Sequence, residues 1–489
     1  MSEHLAGHNP NRYRYQKIGF VLGPLLGLIL FFLPVPESMS PEAWKVVALA
    51  AWVAIWWGTE AIPIPATSLI PIVFLPLLGI STLSEASNPY ASPIIYLLLG
   101  GFIIAMSMQR WNLHRRIALM ILVRFGGKLE NIVLGFMVST ALLSMWVSNT
   151  ATTLMMVPIA LSVAQTITNN WKDNGQFTIA LLIGIAYAAS IGGMATIVGT
   201  PPNALVVAYL LETRNIQIGF LQWMAFGLPV TLVLLPAAWF VLVKWVYKMP
   251  EVAEEKGRVV IEEEIRSLGP VSTPERRTFI TFLIVALLWM FRPLLDNWEP
   301  LVNLSDTIIA IGGAIAMFII PAGSKDEPDQ FLLNWEWAVR IPWGVVLLFG
   351  GGPSLAAAVQ ATGLSIWLGE SFVALTTLHL FILMLALVAM VVFLTELTSN
   401  TATTAALLPI LGALAIVGDF DPILLAAPAA IAASCAFMLP VATAPNAIIF
   451  AGGKVTIPDM MKTGIRLNLL GIIIVSVLCY LLVPVIFGA

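Results

Sequence analysis

The chain has 489 residues, of which 59% are hydrophobic and 10% charged, and its net charge is −3. A water-soluble domain carries about a quarter charged residues to face solvent, so this composition, with a mean hydropathy of +0.92, excludes a soluble globular fold. No basic cluster offers the electrostatic footprint that nucleic acid requires, and a lipid bilayer is the partner that covers such a surface.

Each helical crossing needs about 20 mostly apolar residues. The N-terminus, Met1 to Lys17, is polar, with Arg12, Arg14 and Lys17 just before the first apolar run. A signal peptide ends in a small-residue cleavage site. Pro34-Val35-Pro36-Glu37 is no such site, so the first run is expected to stay as a helix. Spans are predicted at 17–34, 42–58, 61–80 and 91–124, the last running on as an amphipathic segment around Arg110–Arg116. An apolar stretch at 130–168 follows, interrupted at Ser148-Asn149-Thr150, then 177–211, interrupted near Gly199–Asn203, and 220–248. A Glu- and Arg-rich segment, 250–277, reads as a solvated or amphipathic helix. Spans resume at 278–295, 305–321 and 341–369. A second interrupted stretch, 376–417, breaks at Ser399-Asn400-Thr401, and 422–452 breaks near Ala442–Asn446 before the last span, 459–487.

The hexapeptide Ser148-Asn149-Thr150-Ala151-Thr152-Thr153 recurs intact at Ser399–Thr404, and Pro158-Ile159 and Pro409-Ile410 follow at the same distance. Downstream, Thr200-Pro201-Pro202-Asn203-Ala204 matches Thr443-Ala444-Pro445-Asn446-Ala447. Upstream, Leu97–Gly101 matches Leu347–Gly351. Three motifs in one order make an internal duplication. A lone Ser-Asn-Thr in a membrane helix most often bonds a neighbouring helix; a duplicated one, flanked by duplicated Pro-Asn breaks, marks a site. Reading both interrupted stretches as hairpins that enter and leave on one face gives eleven crossings, five of them between the hairpins. The halves then enter the membrane from opposite faces, as in secondary transporters with a midplane site at broken helices. The expected fold is an all-α polytopic membrane protein with an inverted-topology repeat, two re-entrant hairpins and about 11 transmembrane helices. With the N-terminus in the cytoplasm, all but three of the 24 Lys and Arg residues (Lys45, Arg214 and Arg292) fall on the inner side, as the positive-inside rule asks.

A helix broken inside the membrane exposes backbone groups that are tolerated only where they line a cavity or bind something. Freed N–H groups at a half-helix N-terminus attract anions. Freed carbonyls with Ser, Thr and Asn oxygens suit an alkali cation, and the scarcity of acids at the breaks argues against a divalent metal. Residues 371–453 contain no Lys or Arg, and 129–243 contain only Lys172 and Arg214. An anion there is held by amides, hydroxyls and the charge of sodium, which couples the two by linkage. Glu396, three residues before Ser399, is open to two readings, an orienting group for the hairpin or a structural acceptor. Glu60 is placed at the cytoplasmic boundary. Cys435 and Cys479 read as small buried residues, the four histidines form no ligand pair, and Trp56, Trp57 and Trp223 read as interface anchors. No HExxH, GxSxG, paired-aspartate or cysteine–histidine arrangement is present, so an enzyme is not expected.

At these motifs the sequence resembles the divalent anion:sodium symporter family. The resemblance covers nearly the whole chain, from Trp57-Gly58-Thr59-Glu60-Ala61-Ile62-Pro63 to the last span, and its most specific parts are the paired Ser-Asn-Thr motifs and the run from Ala433 to Asn446. The resemblance implies a sodium-coupled symporter of C4-dicarboxylates such as succinate, malate or fumarate, working as an elevator in the plasma (inner) membrane. The alternatives are a sodium-independent di/tricarboxylate exchanger and a sulfate transporter. It implies a homodimer, with scaffold at 1–129 and 278–375, moving transport domain at 130–249 and 376–489, and 250–277 as a cytoplasmic linker. One Na+ site would take Ser144, Asn149 and the backbone at Gly199, the other Thr395, Asn400 and the backbone at Ala442. The anion would meet Ser148, Asn149, Thr150, Ser399, Asn400, Thr401 and Thr443. The second half departs from the pattern in carrying Ala444 where the family often repeats proline.

Overall fold

The structure is a computed structural model that describes residues 14–125, 128–168, 175–247, 249, 255–295, 298–324, 329–371 and 377–488. These are helical almost throughout, with one isolated bridge between Pro321 and Phe331. Among the described residues, nine helices are long and apolar enough to cross a membrane, and two of these, Asn149–Ile167 and Asn400–Val417, are hairpin legs. The remaining crossings come from shorter or interrupted helices. The span predicted at 61–80 is divided into Ile64–Thr67 and Ile70–Leu77, because Pro63, Pro65, Pro71 and Pro76 lack the N–H that a continuous helix needs.

The first helix, Arg14–Phe32, buries Gly19, Gly23 and Gly27 against Pro41–Thr59. A Cβ on Gly23 would lie 2.6 Å from Trp56 Cδ1, so small residues set this close approach. The tryptophans predicted to be interface anchors are interior instead. Trp56 is buried, Trp57 Nε1 donates to Ser68 Oγ (3.1 Å), and Trp223 Nε1 donates to the Met194 carbonyl (3.3 Å). For Trp57 and Trp223, a hydroxyl and a broken-helix carbonyl satisfy the indole where water is absent.

One face gathers the basic residues. Arg110 and Trp111 bond the 330–332 segment, Arg115 pairs with Glu264 (2.6 Å), Arg277 donates to the Pro321 carbonyl (2.6 Å), and Lys244 pairs with Glu130 (2.7 Å). The charged 250–277 segment is more than a solvated helix. Helix Glu255–Ser267 ends at a turn clasped by buried Arg116, which donates to Glu275 (2.9 Å) and to the carbonyls of Leu268 and Gly269. Removing one partner of a buried pair strands the other charge, at about 3–5 kcal/mol. Arg116→Ala is therefore expected to lower the unfolding temperature of the purified protein, and Arg116→Ala with Glu275→Leu to recover most of it. An unchanged midpoint in the single variant would contradict this role.

The hairpins lie where the repeat placed them. The first has legs Leu129–Ser144 and Asn149–Thr168; the second, Leu380–Thr395 and Asn400–Val417. Helix Glu255–Ser267 packs on both the turn Val123–Phe125, just before the first leg, and the second leg, which keeps both feet of the first hairpin on the basic face. Each hairpin is followed by a broken helix: Gln176–Gly193 with Pro201–Arg214, and Ile423–Ala433 with Ala444–Ala451. Gln176–Gly193 packs on Ala444–Ala451, and Pro201–Arg214 on Ile423–Ala433. The two broken helices therefore run antiparallel, as an inverted repeat requires.

The breaks themselves sit earlier than predicted, at 194–200 rather than 199–203 and at 434–443 rather than 442–446. Pro201, Pro202 and Pro445 do not interrupt helices; they start them at the first or second position, where the missing N–H has no intrahelical partner in any case.

Candidate functional site

Four helix N-termini meet at one cavity of about 770 Å³. Their caps are Ser148, Thr200, Ser399 and Thr443, and the residues after them, among them Asn149, Thr150, Pro201, Asn400, Thr401 and Ala444, line its wall. Each terminus carries unpaired N–H groups and roughly half a positive charge. Convergence of four gives a strongly anion-attracting centre, and none of these helices contributes a Lys or Arg to the cavity lining. Thr443 Oγ1 accepts from Asn446 N (3.2 Å) and Ser148 Oγ from Ala151 N (3.4 Å), whereas Thr200 and Ser399 make no side-chain cap bond to their own helices. All seven residues predicted to meet the anion line this cavity, as do Gly199 and Ala442.

Behind each Ser-Asn-Thr motif lies a cluster of oxygens. Ser144 Oγ is 2.5 Å from the Asn149 amide and 2.7 Å from the Ala189 carbonyl. Thr395 Oγ1 is 2.7 Å from Asn400 Oδ1 and 3.0 Å from the Ala433 carbonyl. The halves thus match residue for residue. The first cluster is completed by the Gly199 carbonyl; Ala442 lines the cavity beside the second. The two carbonyls from Ala189 and Ala433 are unpredicted, since a backbone ligand has no side-chain signature.

The bonds of the Asn149 amide orient it: Nδ2 donates to Ser144 Oγ (2.5 Å), the Ala189 carbonyl (3.0 Å) and the Gly199 carbonyl (3.3 Å). A methyl on Gly193 would stand 2.8 Å from the Asn149 amide and 3.0 Å from the Gly199 carbonyl, so the cluster needs a glycine there.

The unwound segments are braced differently in the two halves. Asn203 Nδ2 donates to the carbonyls of Gly193 (3.1 Å), Met194 (3.2 Å) and Thr196 (2.8 Å); Asn446 Nδ2 donates to those of Ala436 and Leu439 (both 3.1 Å). In the first half, Thr196 Oγ1 also donates to the Met145 carbonyl (2.6 Å). In the second, the buried Glu396 carboxylate accepts from Phe437 N (2.7 Å), Met438 N (2.9 Å), Leu439 N (3.0 Å) and Asn468 Nδ2 (2.7 Å). Of the two readings of Glu396, the structural acceptor is the one observed. Its counterpart, four residues before Asn149, is Met145. Glu60 sits in the left-handed region (φ 47°) at the cavity's mouth, with Gln109, Trp337 and Arg340. Cys435 and Cys479 are buried, and His379 caps the second hairpin's first leg, accepting from Phe381 N.

A membrane helical bundle in which two hairpins and two broken helices bring four N-termini to one cavity has the architecture of a secondary transporter. The chain belongs to the sodium:sulfate symporter family, whose transmembrane-region model matches residues 17–487. It is 41% identical over 480 residues to the sodium-dependent dicarboxylate transporter SdcS of Staphylococcus aureus strain bovine RF122 / ET3-1, covering 97% of this chain and 92% of that protein. The protein of the same name from strain USA300 matches to the same extent. The Alcanivorax borkumensis YdaH transporter, known from a crystal structure, superposes with a TM-score of 0.58 over 97% of each chain at 14% identity; the fold is shared.

Proposed function

We propose that the chain is a sodium-coupled symporter of C4-dicarboxylates such as succinate, malate or fumarate, working by alternating access. The observation that carries this reading is the cavity where four helix N-termini face two oxygen clusters. The relatives named as sodium-dependent dicarboxylate transporters support the cargo. One Na+ lies among Ser144, Asn149 and the Gly199 carbonyl, the other among Thr395, Asn400 and the Ala442 backbone. Ser148, Asn149, Thr150, Ser399, Asn400, Thr401 and Thr443 hold the carboxylates.

Asn149 couples the two ligands. Its Nδ2 donates to the Ser144, Ala189 and Gly199 oxygens. A sodium ion among those oxygens draws in the amide oxygen instead and turns the amide donor toward the anion, a differential affinity of the kind coupling requires. Gly193→Ala crowds this cluster, and overpacking costs about 1–3 kcal/mol. A rise of about tenfold or more in the sodium half-saturation constant of uptake is expected; an unchanged constant would remove the ion from this cluster.

The basic face is the cytoplasmic one, with the N-terminus inside and the cavity mouth at Glu60 and Arg340 opening there. The hairpins and broken helices, 130–249 and 376–489, move against 1–129 and 278–375 in a homodimer. On the opposite face Asp306 Oδ2 accepts from Phe220 N (2.7 Å), and the Phe220 ring stacks 4.4 Å from that of Trp289, contacts between the two parts that outward opening breaks. In proteoliposomes, a sodium gradient should concentrate radiolabelled succinate, and potassium or choline in place of sodium should abolish this. Accumulation unchanged in potassium, or strict dependence on internal counter-substrate, would make the chain an exchanger. Preference for sulfate over succinate would change the cargo.

A further inference from the structure

The cavity is also lined by polar side chains that belong to none of the four helices. Arg340 is the only Lys or Arg among the described residues that line it. Its guanidinium carbon lies 4.1 Å from the centroid of the Trp337 ring, a stacking that fixes the plane of the fork. Gln109 lines the same cavity, and its Nε2 is buried and has no hydrogen-bond partner. A buried donor left unpaired is unfavourable and calls for an acceptor from outside the protein. The two residues belong to one unit. Arg110 and Trp111, next to Gln109, bond the carbonyls of Phe331 and Leu332, and helix Trp335–Ala338 packs on helix Pro93–Arg110. Glu60 lines the same cavity.

We propose that this wall is a second, sodium-independent anion subsite, where Arg340 and Gln109 take one carboxylate of a dicarboxylate at the cavity mouth. The identity of the anion rests on the symport reading above. A planar guanidinium matches a carboxylate through two parallel bonds, and the Gln109 amide adds a third donor. The central site holds its anion with helix termini and sodium; the mouth holds it with a fixed cation. An anion that loses its sodium partners therefore has a weaker station to step to on leaving. Exposure of Arg340 and the nearby Glu60 keep that station weak, so the cargo is passed on rather than trapped.

The test is saturation-transfer NMR of succinate on the detergent-purified full chain. In potassium buffer without sodium, the wild type should bind succinate at millimolar concentration. Arg340→Gln should weaken this by about tenfold or more, Arg340→Lys should recover part of it, and Gln109→Leu should weaken it less. Both Arg340 variants should keep the sodium-dependent component, which reports a folded central site. Absence of sodium-independent binding in the wild type, its survival in Arg340→Gln, or equal displacement by chloride or phosphate overturns the subsite. A wild type without a sodium-dependent component overturns the symport reading instead, and the potassium measurement then judges the subsite alone.

Discussion

An Asn149→Asp carrier is expected to keep its sodium and lose its anion. The substitution preserves shape but removes the only donor of the side chain and adds a negative charge at the helix N-terminus proposed to hold the dianion. Two unit charges about 5 Å apart at an effective dielectric constant of about 20 repel by about 3 kcal/mol, more than a hundredfold in affinity, and a dianion suffers more. The same charge lies within the oxygen cluster of Ser144, Ala189 and Gly199, where it attracts a cation. Sodium binding is therefore expected to hold or tighten while sodium-driven succinate uptake disappears. Asn149→Ala removes both contacts and should raise both half-saturation constants. Asn400 occupies the equivalent position, and Asn400→Asp should also lose transport. Sodium binding and succinate uptake measured on each variant decide the matter. Normal transport by Asn149→Asp, or a shift in only one constant for Asn149→Ala, would rule out coupling through this residue.

Glu396→Ala should have the second largest effect, although the side chain bonds only the unwound backbone and Asn468. Its carboxylate gathers three successive N–H groups, from Phe437 to Leu439, and the Asn468 amide. A buried donor stripped of its acceptor costs about 1–3 kcal/mol, so losing an acceptor for four donors loosens the segment that leads to Thr443 and Ala442. Succinate uptake at limiting sodium is expected to fall by about tenfold or more, with a lower unfolding temperature and partial recovery at high sodium. Glu396→Gln should be nearly as damaging, because its NH2 would face donors; a general acid–base role would not predict loss on these terms together with rescue by sodium. Met145→Leu, at the matching place in the other half, should be mild. Uptake by Glu396→Gln at the normal rate would show that the bracing is dispensable.

Much of this site was legible because the chain writes it twice. Ser148-Asn149-Thr150 and Ser399-Asn400-Thr401 are identical, and identical motifs in an inverted repeat fold onto one cavity. The positions of the breaks were misjudged because proline marks either a helix interruption or a helix start, and here Pro201, Pro202 and Pro445 mark starts. Trp57 and Trp223 misled for a related reason: membrane tryptophans cluster at the interface, but these two find acceptors inside the bundle. The carbonyls of Ala189 and Ala433 were illegible, since any residue offers one. Glu396 stood out as an acid in an apolar stretch, yet its role depends on backbone N–H groups about forty residues away that only folding brings near. Arg340 and Gln109 lie far apart in the chain, with no motif joining them.

Coupling of sodium and the dicarboxylate at the four N-termini, as proposed here, is tested by equilibrium binding to the purified full chain, with succinate affinity taken at several sodium concentrations and sodium affinity at several succinate concentrations. Linkage requires the two to enhance each other by the same factor. A reciprocal enhancement that vanishes in Asn149→Asp is expected. Succinate affinity at the central site that is the same with and without sodium would rule the coupling out.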